Sequence, residues 1–203
     1  ERLVELDPAP TSLTPHALSD YELASRVSYF LWSSMPDATL FAAAKAGNLH
    51  DPATLTNQVA RILTDSKGQA LVDDFAGQWL FIRVFDEVQP APSLFPSFDE
   101  SLRSAFKDET KLLFREFAFN GLSADQLLTA NFTFANDRLA QFYGLPAVGG
   151  TELKRVELGN LPRRGLLSQG GLLLANSHPD ASSPVKRGKY VLGQLLCQGV
   201  PPP

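Results

Sequence analysis

Residues 99–121 decide the fold class, and they read DESLRSAFKDETKLLFREFAFNG. Apolar residues recur there at intervals of four and seven, which places them on one face of an α-helix. This predicted buried face consists of Leu102, Phe106, Leu113 and Phe117. Asp99 is a good N-cap, and Asn120-Gly121 is a good helix end. The stretch therefore predicts the longest helix of the chain, with one buried face.

The same helical period predicts four shorter helices before this stretch. Ser19 and Glu22 form a capping box at the start of the first helix. Asp51-Pro52 starts the third helix, because Asp is a good N-cap and proline suits the first helical position. The first helix begins at Ser19 and the second covers 38–46. The third begins at Asp51, and the fourth runs from Ser66 to about Arg83. Prolines between 89 and 98 predict a stiff loop.

Four more helices are predicted after the long one. Ser123 caps a short helix, and Asn131 or Thr133 caps another that ends at Gly144. The residues from 144 to 161 predict one short strand or an extended link, and two further helices run over about 163–176 and 183–197. The fold class is therefore mainly α, a multi-helix bundle of about seven to nine helices with at most one short strand pair.

The pattern also predicts a domain organisation. Residues 1–17 are an extended lead-in, and 18–146 are a helical domain. Residues 147–200 contain a change of texture and two helices, and 201–203 begin a polyproline linker. The chain is thus expected to be a fragment of a longer polypeptide. The uncharged run over 165–179 is too short and too polar to span a membrane, so no span is predicted.

Several kinds of active site are excluded by the motifs that the sequence lacks. A single cysteine, Cys197, excludes an internal disulfide framework and covalent attachment of a c-type haem within this chain. The phosphate-binding, zinc-protease and serine-hydrolase motifs are missing. His16, His50 and His178 all lack a glutamate three residues earlier, so the ligand pair of di-iron bundles is missing too. We predict no metal and no cofactor within this chain alone, and whether it is an enzyme stays open.

Positive charge is concentrated near the C-terminal end, although the chain as a whole carries a net charge of −4. The basic residues after residue 150 are Lys154, Arg155, Arg163, Arg164, Lys186, Arg187 and Lys189. In one interpretation these residues form solvated faces or dock on the acidic body of the chain. In the other, Arg163 and Arg164, near a helix start, bind an anionic group or an acidic partner. Nucleic acid is not predicted as a partner, because no aromatic residues alternate with these charges.

His178 lies where the helix over 163–176 ends, and Pro179 prevents that helix from continuing. Gly165, Gly170 and Gly171 leave bare patches on the same helix, and these favour close packing by something flat or bulky, such as a second helix or the edge of a cofactor. His178 is therefore a candidate ligand or acid–base group. Alternatively, it hydrogen-bonds near a helix C-terminus, where a positive charge is favourable.

Glu109 and Glu116 lie seven residues apart and share a face of the long helix, beside its apolar stripe. Two carboxylates on one face could act as an acid and a base. They could equally border the core and pair with an arginine of a neighbouring helix. The sequence does not decide between these two roles.

Long motifs lie at 19–26, 28–37, 75–80, 94–99 and 133–144. They resemble those of a bacterial family, the domain of unknown function 1592 family. The segments at 164–169, 177–179 and 183–189 resemble the start of the domain of unknown function 1588 family. The opening residues 2–8 resemble the tail of a preceding family. The resemblance thus implies that 1–17 are the tail of a preceding domain and that 147–200 begin a following domain.

The resemblance implies a multi-domain, cytochrome-c-like protein of the cell envelope, periplasmic or at the cell surface. In such proteins a haem c site follows the polyproline linker. This chain would then be a helical scaffold or interaction domain of an extracytoplasmic redox protein, packing against a haem-bearing segment downstream in the same polypeptide. The residues expected to face the haem, or its propionates, are His178, Arg163, Arg164, Lys186 and Arg187.

Two alternatives remain beside this interpretation. The chain could be an enzyme module, an oxidoreductase or polysaccharide-active, with a site at the junction of the two domains where His178 and a carboxylate act. It could also be a structural or carbohydrate-binding module. Exposure of Trp32 or Trp79 would favour that last role, although both lie in apolar stripes.

Overall fold

The structure is a computed structural model, and it describes residues 17–199. The predicted linker over 201–203, and the predicted lead-in apart from residue 17, lie outside the described residues. Nine α-helices and one two-stranded antiparallel sheet form within 17–199, which confirms the mainly α fold class and its single strand pair. The described residues divide into two compact units, 17–71 and 72–199. The domain boundary at 146/147 stays a prediction.

The first unit is built from three helices, and their predicted starts are confirmed. They are α1 (Asp20–Trp32), α2 (Ala38–Lys45) and α3 (Pro52–Thr64), followed by a 3-10 turn at Ser66–Gly68. The capping box between Ser19 and Glu22 is present. Trp32 is buried, and its indole N–H donates to the Ile62 carbonyl at 2.9 Å.

The continuous helix predicted from Ser66 to about Arg83 is wrong. The chain forms the 3-10 turn, then a π-helix (Leu71–Ala76), a single turn α4 (Gly77–Trp79) and a second 3-10 segment (Ile82–Asp86). The break comes at Phe81, whose φ of 58° lies in the left-handed region that stops α-helical hydrogen bonding. Its ring packs edge-on against Tyr190 at 5.6 Å, and this contact favours the bent backbone.

The long helix α5 (Glu100–Phe119) is the centre of the second unit, as residues 99–121 predicted. Asp99 caps it by accepting from the Leu102 backbone N–H at 2.7 Å. Three residues of the predicted buried face are buried, and Phe117 is half-buried. Three later elements contact α5: strand β1 (Phe132–Ala135), helix α7 (Asp137–Tyr143) and helix α8 (Gly170–Ala175).

The helix cap predicted at Asn131 or Thr133 is wrong, because these residues belong to a strand region. Strand β1 (Phe132–Ala135) pairs antiparallel with β2 (Lys154–Glu157), and Thr133 is opposite Val156. Helix α6 (Ala124–Thr129) precedes the sheet, and α7 (Asp137–Tyr143) follows β1. Asn136 caps α7, which ends at Gly144 as predicted.

The helix predicted over 163–176 begins later than expected. A 3-10 turn (Leu166–Ser168) precedes α8 (Gly170–Ala175), so Arg163 and Arg164 do not lie at a helix start. The reason is Gly165, with φ of 48°, whose N–H donates to the Ala130 carbonyl at 2.9 Å. A Cβ there would overlap the Leu128 backbone, so the chain passes close to α6 before it can turn helical.

The last predicted helix is confirmed as α9 (Pro184–Tyr190), which continues as a π-helix (Val191–Leu195). Ser183 caps it, and Pro184 occupies its first turn as expected. In the part of the chain that the structure describes, no helix combines the length and the apolar character needed to cross a membrane.

Candidate functional site

The second unit contains a cleft of about 270 Å³ whose walls come from five regions of the chain. They are the loop over 89–98, the facing helices α5 and α7, the loop that carries Arg163, helix α8 with the turn that follows it, and α9. We call it the Arg–His cleft. It is lined by Pro90, Phe95, Ser97, Phe98, Phe106, Phe142, Arg163, Gly170, Leu173, Leu174, Ser177, His178, Pro179, Ala181, Ser182 and Arg187.

Phenylalanine rings give the cleft an apolar, closely packed wall. Phe106 of α5 is buried and packs edge-on against Phe142 at 5.4 Å and tilted against Phe98 at 6.4 Å. A Cβ at Gly170 would overlap the Phe106 ring, and one at Gly171 would overlap Phe85. The bare patches on this helix therefore accept flat groups as predicted, and those groups are rings of the same chain.

The loop over 89–98 is held in place from two sides. Arg103 of α5 is buried and donates to the Val88 carbonyl at 2.7 Å and to the Gln89 side chain at 2.8 Å. The Ala91 N–H donates to the Pro179 carbonyl at 2.8 Å, which ties the loop to the turn that carries His178. The cleft is thus preorganised on this side.

Three of the five predicted site residues line the Arg–His cleft: Arg163, His178 and Arg187. Arg163 is half-buried, donates to the Ser168 carbonyl at 2.6 Å, and lies 4.1 Å above the Tyr143 ring. Arg187 is also half-buried, and its Nε is buried without a hydrogen-bond partner among the described residues. His178 is exposed, and its backbone N–H donates to the Ala181 carbonyl at 2.7 Å.

The other two predicted residues do not line the cleft. Arg164 is exposed and donates to the carbonyls of Leu161, at 2.7 Å, and Gly159, at 3.1 Å, so it stabilises its own loop. Lys186 donates to the Ser177 carbonyl at 2.9 Å and thereby supports the turn that carries His178.

Glu109 lies in the interior of the second unit and is 1% exposed. Thr133 donates to its Oε1 at 2.5 Å, and the Tyr143 hydroxyl donates to its Oε2 at 2.7 Å. Tyr143 in turn accepts from the Gly170 N–H at 2.7 Å. Burial raises the pKa of Glu109 to about 7, although both hydrogen bonds and the positive charge of Arg163 act in the opposite direction.

Glu116 does not join Glu109. It is half-buried and accepts from the Asn120 side-chain amide at 2.9 Å, in the last turn of the helix. The two carboxylates that share a face of α5 therefore have separate surroundings, and only Glu109 is near the cleft residues.

A small polar cavity lies beside Glu109, with Tyr143, Arg163, Ser168 and Gln169 in its wall. Gln169 is 3% exposed, and its side-chain amide has no hydrogen-bond partner among the described residues. The volume of about 10 Å³ matches a single water molecule. Arg163 lines both this cavity and the Arg–His cleft, so it connects a carboxyl that titrates near neutral pH to the cleft.

Sequence reasoning missed Thr133, Tyr143 and Gln169, which surround Glu109. One signal was available at Glu109 itself. It lies three residues after Phe106 and four before Leu113, on the buried stripe of α5, where a carboxylate needs partners. Within residues 17–199, no group of three or more His, Cys, Asp or Glu side chains is placed to hold a metal ion.

Two family models match the chain, in the order that the sequence motifs predicted. PSD4, a protein family of unknown function (DUF1592), matches residues 18–145, and PSCyt3, a protein family of unknown function (DUF1588), matches residues 163–203. Searches of curated proteins and of solved structures found no match. The cleft combines Phe106 and Phe142 from the first matched region with Arg163, His178 and Arg187 from the second. The DUF1592 model matches more than half of the chain, so the chain belongs to the DUF1592 family.

Proposed function

We propose that this chain is a helical interaction domain of a c-type-cytochrome-like extracytoplasmic redox protein. The Arg–His cleft receives the haem-bearing segment expected downstream in the same polypeptide. One observation carries the proposal: an apolar cleft has two half-buried arginines and a histidine in its lining, and no acidic side chain is among its lining residues. Such a site favours a partner that is apolar and carries negative charge.

The residues present are compatible with the propionate edge of a haem. A haem carries two propionates, and arginine pairs well with carboxylates. The Arg187 Nε–H is a buried donor without a partner among the described residues, so it can donate to a propionate oxygen without giving up a hydrogen bond that it already makes. Arg163 and Arg187 would hold the propionates, and bound haem c would supply the electron-transfer chemistry.

The size of the cleft limits what it can take. Sites that enclose drug-sized ligands measure roughly 300–1,000 Å³. At about 270 Å³ the Arg–His cleft suits an edge of the partner rather than a whole macrocycle. This fits a docking role, in which the haem stays attached to its own segment. The proposed location, periplasmic or cell-surface, rests on the family resemblance.

The test uses the full-length protein with its haem-bearing segment, as wild type and as the Arg163→Met/Arg187→Met double variant. Removing two positive charges beside a haem disfavours its more negative, reduced form, so the midpoint potential should fall. Backbone amides over 177–190 should also exchange faster. Arg164→Met is the matched control, because Arg164 is exposed and outside the cleft. An unchanged potential and unchanged exchange would overturn the proposal.

An enzyme module is the second candidate, and Glu109 is the observation that favours it. A buried carboxyl with a pKa of about 7 is suited to acid–base work at neutral pH. Its link to the cleft runs through Arg163, and an oxidoreductase is the enzyme class we propose. A polysaccharide-active site has less support, because glycosidases usually need two carboxylates around the sugar and no carboxylate is among the residues that line the cleft.

His178 tests the enzyme candidate. Its side chain is exposed at the cleft, so His178→Ala should leave the fold intact and abolish turnover in the intact protein if it acts as an acid or base. Unchanged turnover would remove this candidate. The carbohydrate-binding alternative loses its support from exposed tryptophans, since Trp32 is buried and Trp79 is half-buried with its N–H bonded to the Gln194 carbonyl.

A further inference from the structure

A second cavity, of about 240 Å³, lies beside α8 and α9 in the second unit. Its apolar wall includes Leu167, Leu172 and Val191, and its polar wall includes Tyr190 and Arg187. We call it the Tyr190 cavity. It shares Arg187 and Leu173 with the Arg–His cleft, but Tyr190, Leu167, Leu172 and Val191 do not line the cleft.

Two donors in this wall have no hydrogen-bond partner among the described residues. Tyr190 is only 4% exposed, and its hydroxyl is buried and unpaired. The Arg187 Nε is buried and unpaired as well. Buried polar groups in folded proteins nearly always have a partner, so two such donors lining one cavity indicate an acceptor from outside the chain.

The Tyr190 side chain is well placed to act as a fixed donor. Its ring packs edge-on against Phe81 at 5.6 Å, which restricts its rotation. Burial raises the pKa of its hydroxyl well above the ordinary value, so the proton stays on the oxygen at neutral pH.

The charge of the wall selects the kind of acceptor. Arg187 contributes a positive charge, and no acidic residue is among the residues that line the cavity. Lys186 and Lys189 lie on the same helix and add positive charge nearby. An anionic acceptor is therefore favoured over a neutral one, while the leucine and valine side chains favour a hydrocarbon body.

We propose that the Tyr190 cavity binds a small carboxylate with a hydrocarbon body. The carboxylate accepts from the Tyr190 hydroxyl and from the Arg187 Nε–H, and the hydrocarbon lies against Leu167, Leu172 and Val191. The size of the cavity, below the range of drug-sized ligands, limits the ligand to a short chain or a single ring. This site does not depend on the proposed docking function, but Arg187 lines both places and its Nε–H can serve only one acceptor at a time.

The experiment titrates the whole chain with hexanoate and, separately, with hexanol, and follows binding by calorimetry and by amide chemical shifts. Hexanoate should bind saturably and more tightly than hexanol. Tyr190→Phe should weaken hexanoate binding by about tenfold, the usual effect of losing one hydrogen bond to a charged group. Tyr29→Phe is the matched control, because Tyr29 is exposed and lies in the first unit.

Two further variants separate this site from the cleft. Val191→Phe should fill the cavity and abolish hexanoate binding, whereas Arg163→Met should leave it unchanged, because Arg163 does not line the Tyr190 cavity. Thermal unfolding of each variant checks that the fold is kept. The proposal is overturned if hexanoate shows no saturable binding, if hexanol binds equally well, or if Tyr190→Phe binds hexanoate like wild type. The last result would mean that water alone satisfies the hydroxyl. None of these results bears on the haem potential that tests the docking function.

Discussion

Glu109 is the residue whose surroundings have the clearest energetic consequence. Its pKa rises from 4.5 to about 7 on folding because the carboxylate loses its hydration. The folded state therefore binds this proton more tightly than the unfolded chain does. The contribution of Glu109 to stability is complete below about pH 4.5 and is lost as pH rises toward 7. A change of this size corresponds to at most about 3 kcal/mol.

Glu109→Gln should remove that pH dependence, because the amide resembles the protonated acid in shape and carries no charge. Between pH 5 and pH 8 the free energy of unfolding should change less for the variant than for wild type. At pH 8 the variant should be the more stable of the two. Urea unfolding at both pH values measures the free energies. If wild type and variant lose the same stability from pH 5 to pH 8, the assignment of the titration to Glu109 is wrong.

Tyr143 supports two buried groups with one hydroxyl, which donates to Glu109 and accepts from the Gly170 N–H. Tyr143→Phe leaves both groups without that partner. Each unpaired buried group costs about 1–3 kcal/mol, so the free energy of unfolding should fall by about 2–6 kcal/mol. Tyr21→Phe, at an exposed tyrosine, should change it by less than about 0.5 kcal/mol. Equal effects of the two variants would contradict the network.

Gly170 in α8 and Gly188 in α9 allow the packing of two helices to be compared by the same substitution, glycine to alanine. Alanine is the better helix former by about 1 kcal/mol, so only packing can make the substitution unfavourable. A Cβ at Gly170 would overlap the Phe106 ring, whereas a Cβ at Gly188 meets nothing within 4 Å. Gly170→Ala should therefore destabilise by about 1–3 kcal/mol, and Gly188→Ala should stabilise by up to about 1 kcal/mol. Thermal unfolding shows whether each variant is more or less stable than wild type. A change in the same direction for both variants would contradict the packing argument.

Helix starts could be predicted from the sequence, because capping is decided within a few residues. The starts marked by Ser19, Asp51, Asp99 and Pro184 are correct for this reason. The errors come where a distant partner decides the backbone. Thr133 lies in a strand because β2 pairs with it and Glu109 accepts its hydroxyl. The helix break at Phe81 goes with the contact to Tyr190, far along the chain.

The candidate site was predictable in its charges but not in its walls. The positive charges and His178 follow from local composition and from Pro179. Their convergence on one cleft depends on contacts between loop 89–98 and the turn after α8, such as the bond from Ala91 to Pro179. No periodicity in the sequence encodes such a contact, and the same holds for the partners of Glu109.

At the level of the whole molecule, the net charge and the cleft charge have opposite signs. The chain carries a net charge of −4, yet the Arg–His cleft has two arginines and no acid among its lining residues. Under the proposed docking function, an anionic partner is attracted locally, and salt should screen that attraction. Affinity for the separately expressed haem-bearing segment should fall as ionic strength rises from about 0.05 to about 0.5 M. Affinity that rises or stays constant would contradict an electrostatic contribution.

The double position of Arg163, in the wall of the cleft and beside Glu109, couples two equilibria. Arg163 lowers the proton affinity of Glu109, and a partner's carboxylate would cancel part of that influence. Docking near neutral pH should then draw a fraction of a proton from the buffer. Association heats measured in buffers of different ionisation enthalpy should differ accordingly, and Glu109→Gln should make them equal.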